Sequence, residues 1–182
     1  MEKIGTHNSG TGERPMGWLS WLGLPFARCQ TKTIREQYVA GARMFDLRVR
    51  LVNDDWHLAH GLWKSHRTLL GTLIEINDFP DVCCVMITYE GCDKDKAFQR
   101  FCEMTDGIET GFLTTRFVYI AVKKPTWEIL RMIDPRSQPE QGFVPITGWR
   151  KLLPIPWLWN KIKGANGKNG NDESKWTLAD FL

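Results

Sequence analysis

MFDLRVRLV, residues 44–52, alternates Phe45, Leu47, Val49 and Leu51 with Asp46, Arg48 and Arg50. Successive side chains of a strand point to opposite faces, so this is a strand with one apolar and one charged face. Upstream, Thr33 to Ala42 reads as a helix. Thr33 and Glu36 fit a capping box, and Ile34, Gln37, Tyr38 and Gly41 share a face. Downstream, Asn53-Asp54-Asp55 is turn-forming and leads into WHLAHG (56–61), a returning strand or an extended loop. A helix is expected over Ser65 to Asp78, buried through Leu69, Leu70, Leu73, Ile74 and Ile76. VCCVMITYE (82–90) is the near-continuous apolar run of a parallel strand covered on both faces. A helix over Lys94 to Met104 and a strand at RFVYIAV (116–122) complete the regular part.

Strand and helix signals that alternate in this way predict an α/β fold with parallel pairing. After Pro125 the regularity fades. WRKLLPIPWLWNKIK (149–163) is broken by prolines and GANGKNGNDES (164–174) is of low complexity, so residues 145–175 are expected to be irregular.

The chain has 182 residues, which suits a single domain (1–182) able to bury about 70% of its unfolded surface. A net charge of +3 without any Lys/Arg block excludes a nucleic-acid partner as the leading reading. Five cysteines, Cys29, Cys83, Cys84, Cys92 and Cys102, lack zinc-site spacing and read as reduced packing residues. There is no uncharged apolar run of 18 residues and no signal-peptide core, so the chain as written is expected in the cytoplasm or peripherally on a membrane.

Asp46 and Arg48 are two apart and point the same way, toward the centre of a sheet or barrel. Alone they would be an internal ion pair. Three features at the ends of neighbouring elements add to them: His7 with Asn8 in KIGTHNSGTGE (3–13), His60 before Gly61, and Glu90 closing the apolar strand. His57 and His66 read as packed or surface residues. Two histidines across a phosphodiester can divide the work, one taking the proton of an attacking hydroxyl and the other protonating the leaving oxygen. An arginine neutralises the phosphoryl oxygens and does not deprotonate at useful pH.

IGTHNSGT (4–11), QTKTIREQYVAGARMFDLRVRL (30–51) and HLAHG (57–61), with weaker echoes in FPDVCCVMITYE (79–90) and KKPTWEILRMI (123–133), resemble the phosphatidylinositol-specific phospholipase C X-domain family, particularly its bacterial branch. The resemblance implies a TIM-barrel-like (β/α) phosphodiesterase fold, with the site at the carboxyl ends of the strands. It implies His7 as general base, His60 as general acid and Arg48 as a fixed cation where the animal branch binds calcium. Asp46 joins this catalytic group; Asn8, Glu90 and Arg131 are the implied substrate-binding residues. The substrate would be a phosphatidylinositol-type lipid or a soluble inositol phosphodiester, cleaved through an inositol cyclic phosphate.

Some positions depart from the family. Asn8 stands where the bacterial branch has aspartate, and an amide cannot stabilise imidazolium by charge, so His60 is expected to be a poorer acid. Asn8, Asp46 and Glu90 match calcium ligands of the animal branch, but Arg48 opposes a cation there, and the expectation is no metal and no cofactor. Arg131 sits in RMI rather than the family's RGK, where a surface arginine is the plainer reading. An eight-unit barrel usually needs about 250 residues, so the barrel is expected to be incomplete or distorted, closed by a second copy as a homo-oligomer or crippled in catalysis. No acidic partner for His7 is identifiable.

Trp18 and Trp21 in GWLSWLGLPF (17–26), and Trp157 and Trp159 among basic residues, suit a membrane-facing rim, though tryptophans covering an imperfect core read equally from the sequence. Two further functions stay open: a catalytically weak lipid- or phosphate-binding module, and a metal-dependent glycerophosphodiester hydrolase.

Overall fold

A computed structural model describes residues 3–91, 96–109, 116–122, 150, 152–163 and 176–179. Its strands are β1 (Lys3–Thr6), β2 (Met44–Val52), β3 (Asp55–His60), β4 (Trp63–Thr68), β5 (Cys84–Tyr89), β6 (Arg116–Val122) and β7 (Trp176–Ala179). Its α-helices are α1 (Gly17–Ala27), α2 (Ile34–Val39), α3 (Leu69–Asn77), α4 (Lys96–Glu109) and α5 (Pro156–Lys163), with a 3-10 turn at Ser9–Gly12.

Five strands pair in parallel in the order β7-β1-β2-β5-β6, curled as a half-barrel. β2 is the longest strand and organises the rest: its first half lies between β1 and β5, and its second half pairs with β3. The antiparallel register Val49↔Leu58 carries β3 back alongside β2, returning His60 to the level of Arg48. β4 continues the hairpin. The alternation in residues 44–52 works as expected: Phe45, Leu47 and Val49 are fully buried in the core, together with Leu73 and Ile76 of α3 and Val85 and Ile87 of β5. On the same face of β5, Tyr89 stacks with Phe98 and Phe101 of α4, and Trp56 meets Phe101 edge-on at 5.6 Å.

The α2 capping box forms as the sequence predicts. The Thr33 side chain accepts from the Glu36 N–H, and the Glu36 carboxylate accepts from the Thr33 N–H at 2.7 Å. Three expectations need correction. The helix expected from Ser65 begins only at Leu69, because WKSHRT (63–68) is a strand with too little apolar pattern to read as one, and Leu70 and Ile74, expected on the helix's buried side, are exposed. Residues 145–175 are not irregular throughout: Pro156 starts α5 rather than breaking it, as its fixed φ and missing N–H suit the first helical turn. Trp159 of α5 is buried, its indole N–H donating to the Leu153 carbonyl at 2.7 Å, and so is no rim residue.

Helix α1 is inside out. Its buried positions are Ser20, Gly23 and Ala27, while Trp18 is 70% exposed, Trp21 58% and Leu22 63%. Small residues face inward because the β3–β4 turn comes very close: a Cβ on Gly23 would lie 2.9 Å from Leu62 Cβ and 3.1 Å from the Trp63 nitrogen. Ser20 Oγ accepts the Lys64 N–H at 3.1 Å and locks the contact. Trp157 of α5 is half exposed, with Lys161 Nζ 4.9 Å from its ring centre. Among the described residues, no helix is long and apolar enough to cross a membrane.

Candidate active site

The site begins where β1 ends. His7 and Asn8 form a bend in which Asn8 takes the left-handed conformation, φ 46°, which asparagine tolerates better than most residues. The bend is held from four directions. Asn8 N–H donates to Asp46 Oδ2 at 2.9 Å, and the Asp46 N–H donates to Ser9 Oγ at 2.8 Å, joining it to β2. Ser9 Oγ also donates to the Thr6 carbonyl at 2.8 Å. Thr11 Oγ1 donates to the Asn8 carbonyl and accepts the N–H groups of Cys29 and Gln30. Buried Gln30 donates to the His7 carbonyl at 3.2 Å and the Ala179 carbonyl at 2.7 Å, while the His7 N–H donates to the same Ala179 oxygen at 3.1 Å. The glycine-rich opening segment thus permits a tight turn tied to several distant segments. At Gly12 a Cβ would lie 1.8 Å from the Lys32 carbonyl oxygen.

Asn8 Nδ2 lies 3.3 Å from both His7 Nε2 and Cys29 Sγ. As a donor it faces His7 Nε2 in the tautomer with hydrogen on Nδ1, so a substrate hydroxyl must displace the amide before that nitrogen takes a proton. Asn8 Oδ1 is buried without a hydrogen-bond partner among the described residues.

The second half of the site is charged. Arg48 Nε lies 3.7 Å from fully buried Asp46, and Arg48 Nη1 donates to Glu90 Oε1 at 3.0 Å. The same Glu90 oxygen is 2.9 Å from His60 Nδ1, and His60 Nδ1 is 3.5 Å from Arg48 Nη1. Burial opposes the Arg48 charge, but the two carboxylates outweigh it and hold the guanidinium more firmly protonated than usual. Burial would raise the Glu90 pKa; its bonds to His60 and Arg48 and their charges reverse this, holding the carboxyl at about 2. His60 is pushed below its ordinary value, chiefly by burial and further by the charges of Arg48 and His7, while Glu90 pulls the other way. His60 is therefore largely uncharged at neutral pH, and Arg48 is then the cation that keeps Glu90 ionised. His7 is next in sequence to Asn8, which lines the same depression as Arg48 and His60.

A shallow open depression lies here, lined by Asn8, Thr11, Arg48, His60 and Trp63 among others. Arg48 of β2 and His60 at the end of β3 thus converge on Glu90, beside the Asn8 bend that follows β1. Asp46 is fully buried, with its carboxylate accepting the Asn8 N–H and lying 3.7 Å from Arg48 Nε, so it stands behind the depression rather than in it. Arg131 and Cys92 lie outside the described residues. His57 donates from Nδ1 to the Ser65 carbonyl at 3.0 Å, and His66 is exposed, both as packing or surface residues would be. Cys29, Cys83, Cys84 and Cys102 are free thiols. Sequence reasoning missed Gln30 and Thr11, whose roles depend on contacts from distant segments. It also missed β7, four residues long, whose Ala179 meets His7; Asp180, the next residue in sequence, lies outside the described residues.

The calcium alternative does not fit this geometry. Calcium takes six to eight oxygen ligands, whereas the Asp46 and Glu90 carboxylates already receive Arg48, Asn8 N–H and His60. Among the described residues, no group of three or more His, Cys, Asp or Glu side chains is arranged to hold a metal ion.

No protein-family model and no curated protein matches the chain. Among solved structures it is similar to the phosphatidylinositol-specific phospholipase C from Listeria monocytogenes, at 18% identity and a TM-score of 0.50, over 66% of this chain and 50% of that one. Two structures of the S. aureus phosphatidylinositol-specific phospholipase C, also 18% identical, align over 74% of this chain and 37% of theirs with TM-scores of 0.37 and 0.38. The chain spans half the length of the Listeria protein. At this identity the Listeria likeness bears on the fold: a parallel strand–helix sheet of the same kind.

Proposed function

We propose that the chain cleaves phosphatidylinositol-type glycerophosphodiesters without a metal, through an inositol cyclic phosphate. One juxtaposition supports this reading: Arg48 and His60, from different strands, line one depression together with Asn8, the residue that follows His7. His7 Nε2 accepts the proton of the inositol hydroxyl that attacks phosphorus. Arg48 stabilises the charge that builds on the phosphoryl oxygens, in a position where its two carboxylates have already oriented it. His60 gives a proton to the departing glycerol oxygen. The likeness to a Listeria enzyme of that name supports the reaction class, although the chain spans half of that protein.

The lipid substrate gives α1 a purpose. An α-helix that buries serine, glycine and alanine while exposing tryptophan and leucine reverses the usual order, and it fits the headgroup zone of a bilayer. Trp18, Trp21 and Trp157 form this rim.

The test is product analysis on phosphatidylinositol vesicles with a chelator present. Inositol cyclic phosphate is expected from the wild type, and His7→Ala, His60→Ala and Arg48→Ala should each lower turnover by at least ~100-fold. Vesicle binding without product, equal in wild type and His7→Ala, would instead identify a lipid-binding module. Loss of activity on chelation would favour a metal-dependent hydrolase.

A further inference from the structure

A histidine that is to carry a positive charge in a buried cleft needs an anion behind it, and Asn8 cannot be that anion. We propose that Glu90 is the positioning residue for His60, fixing the imidazole with Nδ1–H turned inward and Nε2 turned to the leaving oxygen. This rests on the phosphodiester-cleaving reading and deepens it, replacing the expectation that Glu90 grips the substrate.

The hydrogen-bond chemistry leaves one arrangement. Glu90 Oε1 is 2.9 Å from His60 Nδ1. An ionised carboxylate only accepts, so Nδ1 must carry the hydrogen. Arg48 only donates, so its 3.5 Å approach to the same Nδ1 is two donors converging on one acceptor rather than a bond between them. Nε2 is the nitrogen left for chemistry. Glu90 is itself fixed: its N–H donates to the Val49 carbonyl at 2.8 Å and its carbonyl accepts Arg50 Nε at 3.0 Å. The charged groups facing His60 are Glu90 from the end of β5, Arg48 from β2 and His7 from the end of β1. Glu90 is the member of this set that favours the imidazolium.

The step balances. As the attacking oxygen bonds to phosphorus its proton passes to His7 Nε2. The bond from phosphorus to the glycerol oxygen breaks with its electron pair on oxygen, which takes the proton of His60 Nε2. His60 is left neutral, still donating through Nδ1–H to Glu90.

Two soluble inositol phosphodiesters with the same head group test this, one with an alkyl alcohol as leaving group and one with 4-nitrophenolate, which leaves without protonation. Glu90→Gln should lower kcat/KM by at least ~100-fold on the alkyl ester and by less than ~10-fold on the nitrophenyl ester. Arg48→Ala should lower both alike, and Glu90→Asp should recover part of the alkyl-ester loss. Equal losses on both esters in Glu90→Gln overturn the proposal. A second measurement needs no variant: nitrogen-15 spectra of the wild type at neutral pH should show His60 protonated at Nδ1, and the Nε2–H tautomer overturns the pairing. Absence of cyclic phosphate from the wild type would refute the reaction instead, while the tautomer would still decide the pairing.

Discussion

At the scale of single residues, His60 sets the pH range of the proposed chemistry. Its pKa lies below 6.5 in the fold, chiefly through burial. A general acid must hold its proton, so activity should fall as pH rises through that lowered value, and the alkaline limb of the kcat/KM profile should lie below pH 6.5. A profile on a soluble inositol phosphodiester checks this; an alkaline limb above 6.5 would assign the acid elsewhere. Removing Glu90 takes away the bond and the charge that raise His60, so in Glu90→Gln the limb should move lower still. The positions of these residues were legible in the sequence, because His7, His60 and Glu90 each sit at a recognisable element end and Arg48 on the polar face of an alternating strand. Their division of labour was not. The Glu90–His60 bond depends on β3 folding back along β2 in one register, which no short motif encodes.

At the scale of elements, β2 and α2 were readable because each carries a complete local signal: strict alternation in one, a capping box in the other. β4 and β7 were hidden for the opposite reason. Each is a short strand defined by its partner, with a polar or minimal pattern of its own. α1 has an apolar sequence but no helical periodicity that points inward, so it reads as a rim before it reads as a helix. Its exposed face gives a clean experiment. Trp18→Ala with Trp21→Ala should leave unfolding free energy within about 0.5 kcal/mol of wild type, as expected for exposed positions. Binding to phosphatidylinositol vesicles, followed by sedimentation, should weaken at least roughly tenfold, since each tryptophan would bury apolar surface in the bilayer. Unchanged sedimentation would mean that the tryptophans serve some other contact.

For the molecule as a whole, the core lies between the sheet and the helices that follow its strands, and the aromatic cluster under α4 is its most concentrated part. Phe101 is 1% exposed and packs on Tyr89, Phe98 and Trp56. Phe101→Ala should cost about 3–5 kcal/mol in urea unfolding, the range for removing a buried aromatic ring; a loss under 1 kcal/mol would show that the helix contributes little to the core. The α/β class and the parallel strands were legible from alternation alone, while the order of strands was not, since the link between β1 and β7 spans nearly the whole chain. That link has a consequence for synthesis. Gln30 and His7 both bond the carbonyl of Ala179, so a growing chain completes its histidine bend only after β7 has been made. Whatever chemistry His7 performs therefore waits on a pairing between the two strands that lie farthest apart in sequence among the described residues.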